Sequence, residues 1–227
     1  MAGRVAGLWV YPVKSMRGQP LDVADIEARG VRGDRLYAVR DEAGKFGSGK
    51  NTRRFARMDG LARWSAWAGG DGVQVRPPDG EWLDALGEAA ARLLTAQVGR
   101  VVQIAREDDI SHFDAAPLHL VTSADLAALA QYSGLRPACE TFRPNILIEC
   151  EVRSAEWIGR CMTLGDVELE IVAPTERCLM VNVAPDGERG PDFLRPIAQR
   201  MEECFGVYAN VVRAGRVAIG DAALVRE

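Results

Sequence analysis

The residues best suited to chemistry are one cysteine, a few basic side chains and their polar neighbours, spread along most of the chain. Cys178 ends the run Pro174-Thr175-Glu176-Arg177-Cys178, which follows a strand-like segment. A partly exposed thiol beside Arg177, after a proline break, is set in a positive environment that favours thiolate, the form that ligates metals. Most isolated cysteines are instead small buried hydrophobes, so position alone leaves both uses open. Lys14 and Ser15 follow Tyr11-Pro12-Val13, where proline stops strand pairing and leaves a compact charge and a hydroxyl at a strand end. Arg35 follows the turn Gly30-Val31-Arg32-Gly33-Asp34. It is expected to begin a strand and to aim its guanidinium at the same ligand as Lys14. Arg143 precedes Pro144, which is expected to hold it extended. With Asn145 it offers a planar donor fork and a carboxamide at the entrance of the apolar run Ile146-Leu147-Ile148. Such forks suit a phosphate. Lys14 and Asn145 read equally well as a solvated strand end and a turn residue.

Composition narrows the uses. The chain has 227 residues, 28 basic and 32 acidic, for a net charge of −4. Residues 1–63 carry 13 Lys/Arg and 7 Asp/Glu, a local +6; the remaining 15 and 25 give −10. The Arg-rich start is either a solvated face or an anion site. Nucleic acid is not expected, because the overall charge is negative and no aromatic stacking motif accompanies the basic residues. The five cysteines, Cys139, Cys150, Cys161, Cys178 and Cys204, form no close pairs. That argues against a disulfide framework and for a reducing, cytoplasmic setting. With no C-x-x-C and only His112 and His119, a zinc site is not expected either. No stretch approaches the roughly 20 apolar residues of a membrane span, and the start has no signal or transit character. Residues 44–52 nearly fit a P-loop, but Asn51 displaces the hydroxyl by one position and no apolar-periodic helix follows. A flexible hairpin tip is expected there.

The elements that must position these residues are mostly short strands, at 4–11, 20–27, 35–40, 63–68, 72–76 and 100–105. A helix is expected from about Asp84 to Gly99. The second half reads as a strand at 117–122 and a helix capped by Ser123 and ended by Gly134. Strands at 145–150, 160–164 and 166–172 follow, then a helix at 192–204 interrupted near Pro196, then strands at 207–213 and 216–225. Cys150 and Cys204 are expected in core packing positions. The stretch 106–116 is the natural boundary.

These pieces, in order, resemble the MOSC family, molybdenum-cofactor-binding domains with an N-terminal β-barrel domain in one subgroup. Tyr11-Pro12-Val13-Lys14-Ser15 followed by 30–35 is similar to the N-terminal signature. Residues 112–126, 142–149, 165–178, 205–211 and 215–225 are similar to successive parts of the MOSC domain. The resemblance implies an α+β, strand-dominated fold. A β-barrel-like domain over 1–106 would precede a MOSC β-barrel with a few helices over 107–227. It implies that Cys178 ligates molybdenum, and that Lys14, Ser15 and Arg35 hold the pterin and phosphate of molybdopterin. Asp114, Arg143 and Asn145 match further cofactor positions. Relatives carry Asp-Thr-Ser-Pro where this chain has Asp114-Ala115-Ala116-Pro117, and Cys-Ser-Arg-Cys where it has Thr175-Glu176-Arg177-Cys178. Two hydroxyls are therefore missing, and Glu176 places a negative charge near the ligand.

The function implied is a molybdenum-dependent oxidoreductase that reduces N-hydroxylated or N-oxide-type small molecules by oxygen-atom transfer. No haem, iron–sulfur or dinucleotide motif is visible, so a separate electron-donor protein of flavin-reductase or ferredoxin type is expected. Two other uses of the same fold stand beside it: a sulfur carrier with a persulfide on Cys178, and a non-catalytic module for a phosphorylated ligand. A pyridoxal phosphate enzyme is not expected, because Lys14 is the only plausible Schiff-base lysine of three.

Overall fold

The computed structural model describes residues 3–70, 72–184 and 188–226. Seven strands close into a barrel. Around its circumference they run Ile146–Glu149, Leu118–Thr122, Cys204–Arg213, Val167–Glu176, Cys161–Leu164, Ala222–Arg226 and Gly3–Val10, which pairs back with Ile146–Glu149. Closure leaves no unpaired edge among these strands. Each pair is antiparallel except Leu118–Thr122 with Ile146–Glu149. A parallel pair needs a crossover, and helix α2, Ser123–Ser133, supplies it. Alternation along the long strand puts Val167, Leu169 and Ile171 inside, against Leu8, Leu120, Ile148 and Val207.

The first strand of the chain is thus a barrel stave, and the chain then leaves the barrel. At Val13 it bridges in parallel to Tyr37. There it joins a sheet ordered Val102–Arg106, Tyr37–Asp41, Phe46–Ser48 and Phe55–Arg57. A second apolar cluster forms beneath this sheet from Val13, Met16, Val39, Trp64, Val75 and Ile104, sealed by Ala90 and Leu94 of helix α1, Glu88–Val98. A third cluster packs Val121 and Phe205 against Leu129 of α2 and Ile197 of helix α3, Leu194–Arg200.

Several local expectations are corrected. Helix α1 starts at Glu88, because Leu83 and Asp84 pair with Val75 and Gln74. The cap of α2 is Thr122, whose hydroxyl accepts from the Asp125 amide while Asp125 accepts from the Thr122 amide; Ser123 instead donates to the Cys150 carbonyl. Helix α3 ends at Arg200, and Cys204 opens a barrel strand rather than packing in a helix. The stretch 44–52 is no flexible tip: Phe46–Ser48 is a buried strand parallel to Phe55–Arg57.

Candidate functional site

A cleft of about 580 Å³ opens where the barrel meets the N-terminal sheet. Lys14, Ser15, Arg35, Asp114, Arg143, Asn145 and Cys178 all line it, although 164 positions separate Lys14 from Cys178. Seven basic side chains line the cleft (Lys14, Arg17, Arg35, Lys50, Arg54, Arg143 and Arg177) against three acidic ones, Asp114, Glu140 and Glu176. A local +4 in a chain of net −4 concentrates positive charge in one concavity.

Backbone geometry aims these groups. Ser15, Arg35 and Arg143 are three of five described non-glycine residues with positive φ, at 69°, 49° and 54°. Left-handed backbone costs such residues of order 1–3 kcal/mol and persists where the surroundings enforce it. Arg143 is therefore left-handed, not extended as its proline neighbour suggested: its amide donates to Glu140 at the end of a short helical turn. Arg35 precedes its strand, Tyr37–Asp41, instead of beginning it. Tyr11 sits between these two arginines, with guanidinium carbons 4.9 Å (Arg35) and 4.3 Å (Arg143) from its ring centre. Arg35 also pairs with buried Asp34 and donates to the Arg143 carbonyl at 3.2 Å. Arg143 donates to the Met16 carbonyl at 2.6 Å. Burial and the neighbouring Arg35 push the Arg143 guanidinium down to about 10, still charged at neutral pH.

Lys14 is 6% exposed and donates to the His112 carbonyl at 2.8 Å and to Asp114 at 3.0 Å. Burial lowers its ammonium to about 8, with Asp114 acting against the fall. Desolvation raises the Asp114 carboxyl, but Lys14, Arg35 and Lys50 together outweigh it and hold the group below the usual carboxylate range. His112 fixes this corner. Its Nε2 faces Arg40 at 2.9 Å and its Nδ1 faces the Arg35 carbonyl at 3.0 Å. A guanidinium only donates, so Nε2 accepts and Nδ1 carries the hydrogen. Desolvation lowers this imidazole to about 4.

Asn145 is built into the barrel wall. Its carboxamide accepts from the His119 amide at 3.1 Å and donates to the Trp9 carbonyl at 3.3 Å. Cys178 is exposed, directly after Arg177. Arg177 donates to the Phe142 carbonyl at 2.9 Å, and among the described residues its Nε is buried without a partner. Cys139, Cys150, Cys161 and Cys204 are only partly buried and do not line the cleft. Sequence reasoning set Ser48 and Lys50 aside with the P-loop-like stretch and did not single out Arg54 and Tyr208; all four also line the cleft. The basic excess of residues 1–63 was the available signal for Lys50 and Arg54.

Two sequence profiles cover the chain: the MOSC domain matches residues 107–223, and the MOSC N-terminal beta barrel domain matches residues 2–116. The chain belongs to the MOSC family. This MOSC chain is 28% identical to the mitochondrial amidoxime-reducing component 1 of Homo sapiens, over 81% of its own length and 67% of the relative's. It is 25% identical to the human mitochondrial amidoxime reducing component 2, over 96% and 82%. Over 57% of its length it is 29% identical to the molybdenum cofactor sulfurase of Drosophila mojavensis, of which it spans 17%. The crystal structure of the YUAD protein from Bacillus subtilis shares the fold, with a TM-score of 0.57, 15% identity and coverage of 99% and 96%. Among the described residues no helix of the MOSC chain is long and apolar enough to cross a membrane.

Proposed function

We propose that this cleft binds the molybdenum cofactor with Cys178 as the protein's sulfur ligand, and that the chain is a reductase of N-hydroxylated or N-oxide-type small molecules. The observation that carries the reading is the gathering of an exposed cysteine and seven cations in one cleft of an otherwise acidic chain. The residues present fit the group. A phosphorylated pterin needs cationic forks and polar partners, and Lys14, Arg35 and Arg143 supply the charge. Among the described residues no three His, Cys, Asp or Glu side chains group to hold an ion. A metal here must bring further ligands, as a dithiolene-bearing cofactor does, and a soft thiolate is a suitable protein contribution. When bound, the cofactor supplies two-electron oxygen-atom transfer.

The chain's own residues bind and orient. Lys14, held by Asp114 and the His112 carbonyl, presents a fixed charge at the cleft wall. Arg35 and Arg143, stacked on Tyr11, present two more. Ser15 donates to the Gly47 carbonyl at 2.9 Å, which leaves its oxygen lone pairs to accept from a ligand. Arg177 places positive charge beside the Cys178 sulfur. His119, lowered to about 3 by burial, stays neutral and is no proton donor near pH 7. Electrons come from a separate donor protein, of the flavin-reductase or ferredoxin type.

The test is to purify the chain from cells that make the cofactor and to measure molybdenum and pterin per chain. Near-stoichiometric amounts, lost in Cys178→Ser, support the reading. Background metal unchanged by that substitution overturns it. The exposure of Cys178 also favours a second use, as a persulfide carrier. A mass gain of one sulfur atom on Cys178 after incubation with a cysteine desulfurase, without bound molybdenum, would select that use.

A further inference from the structure

The P-loop-like stretch 44–52 binds no nucleotide by its pattern, yet it supplies part of the cleft wall. Ser48 and Lys50 both line the cleft, as does Arg54 a few residues later. We propose that Ser48, Lys50 and Arg54 form a second anionic subsite beside Cys178, which takes a carboxylate or similar anionic group carried by the substrate. This inference rests on the reading of the cleft as the reaction site and adds the class of substrate it selects.

Three cations surround one aromatic ring in this wall. Lys14 Nζ, Lys50 Nζ and Arg54 Cζ lie 5.4, 4.9 and 5.4 Å from the centre of the Phe55 ring. Of the three, Lys14 has a carboxylate partner, Asp114. Among the described residues neither Lys50 nor Arg54 forms an ion pair, and Arg54 donates to the carbonyls of Ser111 and Phe113. The corner therefore carries three positive charges and one negative. Ser48 is 8% exposed, and among the described residues the Arg54 Nε is buried without a hydrogen-bond partner. A buried guanidinium N–H without a partner, in a wall with surplus cations, is a donor waiting for an acceptor.

Placement favours the substrate over the buried end of the cofactor. Lys50 is exposed, whereas Lys14 is buried. Gly49 lies against Met180, two residues beyond Cys178: a methyl group on Gly49 would come within 2.2 Å of the Met180 sulfur. Gly49 thus packs against the cysteine-bearing segment, and its neighbours Ser48 and Lys50 share the cleft with Cys178. The acidic residues Glu140 and Glu176 line the cleft from the C-terminal half. An anionic substituent is repelled there and drawn to Lys50.

Alkylation of Cys178 in the cofactor-free full chain tests the subsite without any molybdenum chemistry. Iodoacetate and iodoacetamide are near-isosteric and differ in charge, and peptide mass spectrometry follows Cys178 alone. The ratio of their rates is expected to fall about fivefold in Lys50→Gln, the size of one lost charge interaction of about 1 kcal/mol. Arg92→Gln, an exposed charge outside the cleft, controls for net charge and should leave the ratio unchanged. An equal fall in both variants, or none in Lys50→Gln, overturns the subsite. In the loaded chain, kcat/KM for a carboxylate-bearing benzamidoxime relative to benzamidoxime should fall similarly in Lys50→Gln, through KM. If the extracted cofactor instead carries a diphosphate-linked nucleotide, the cations serve the cofactor and the substrate assignment fails. Loss of molybdenum binding in the parent chain contradicts the proposed function, whereas the alkylation ratio reports on the subsite alone.

Discussion

Arg35 and Arg143, more than a hundred positions apart in sequence, are joined by a 3.2 Å hydrogen bond from the Arg35 guanidinium to the Arg143 carbonyl, and both guanidiniums pack on Tyr11. Two like charges this close raise each other's cost. The aromatic ring lowers that cost by cation–π attraction, worth roughly 0.5–2 kcal/mol each.

Tyr11 therefore works through its ring. It is 3% exposed, its hydroxyl has no partner among the described residues, and burial drives the phenol well above its usual range. Tyr11→Phe removes an unsatisfied hydroxyl and should leave stability equal or raise it by about 1 kcal/mol. Tyr11→Leu loses the ring and should lower stability by about 2 kcal/mol and weaken inorganic phosphate binding. Urea melts and phosphate titration of both variants separate the two roles.

The left-handed residues make a second comparison. Glu202 has φ 52° and is exposed, so Glu202→Gly relieves strain of about 1–2 kcal/mol against up to about 1 kcal/mol of added chain entropy. A net gain of about 0.5–1 kcal/mol is expected in chemical denaturation. Ser15→Gly relieves similar strain at φ 69° but loses the bond to the Gly47 carbonyl. It should stay within about 0.5 kcal/mol of the parent.

Much of this arrangement was legible in the sequence. The strand pattern pointed to a barrel or a sandwich, the family resemblance to a barrel, and Gly134 marked the end of α2 because it adopts φ 70°. The Arg177-Cys178 pair and Lys14 at a strand end are local features, so single-chain reading reached them, although the strand Val167–Glu176 runs through Pro174 instead of breaking there. What was not legible is non-local. Arg143 departs from the extended form because Glu140 turns the chain just before it, and His112 is fixed by Arg40, the Arg35 carbonyl, Lys14 and Glu107, which accepts from its amide. Lys50 read as part of a hairpin tip and Arg54 as one of many basic residues of the Arg-rich start, because the strand Phe46–Ser48 pairs with Phe55–Arg57 in three dimensions, not by any periodicity.

Lys14 sets a pH dependence with two opposite signs. Its ammonium is at about 8 in the fold against the usual 10.5, so between these values the unfolded chain binds more protons. Stability should rise with pH across that window, by up to about 3 kcal/mol. Affinity for inorganic phosphate should fall across the same window as the charge is lost. Lys14→Met should flatten both curves, which melts and titrations from pH 7 to 11 would register.

The central claim is that the Cys178 sulfur completes the coordination of a molybdenum that arrives with two sulfurs of its own. Molybdenum-edge X-ray absorption on the loaded chain measures this directly. The account predicts three sulfur scatterers around molybdenum in the parent protein and two in Cys178→Ser. Two in both proteins, or three in both, would contradict it.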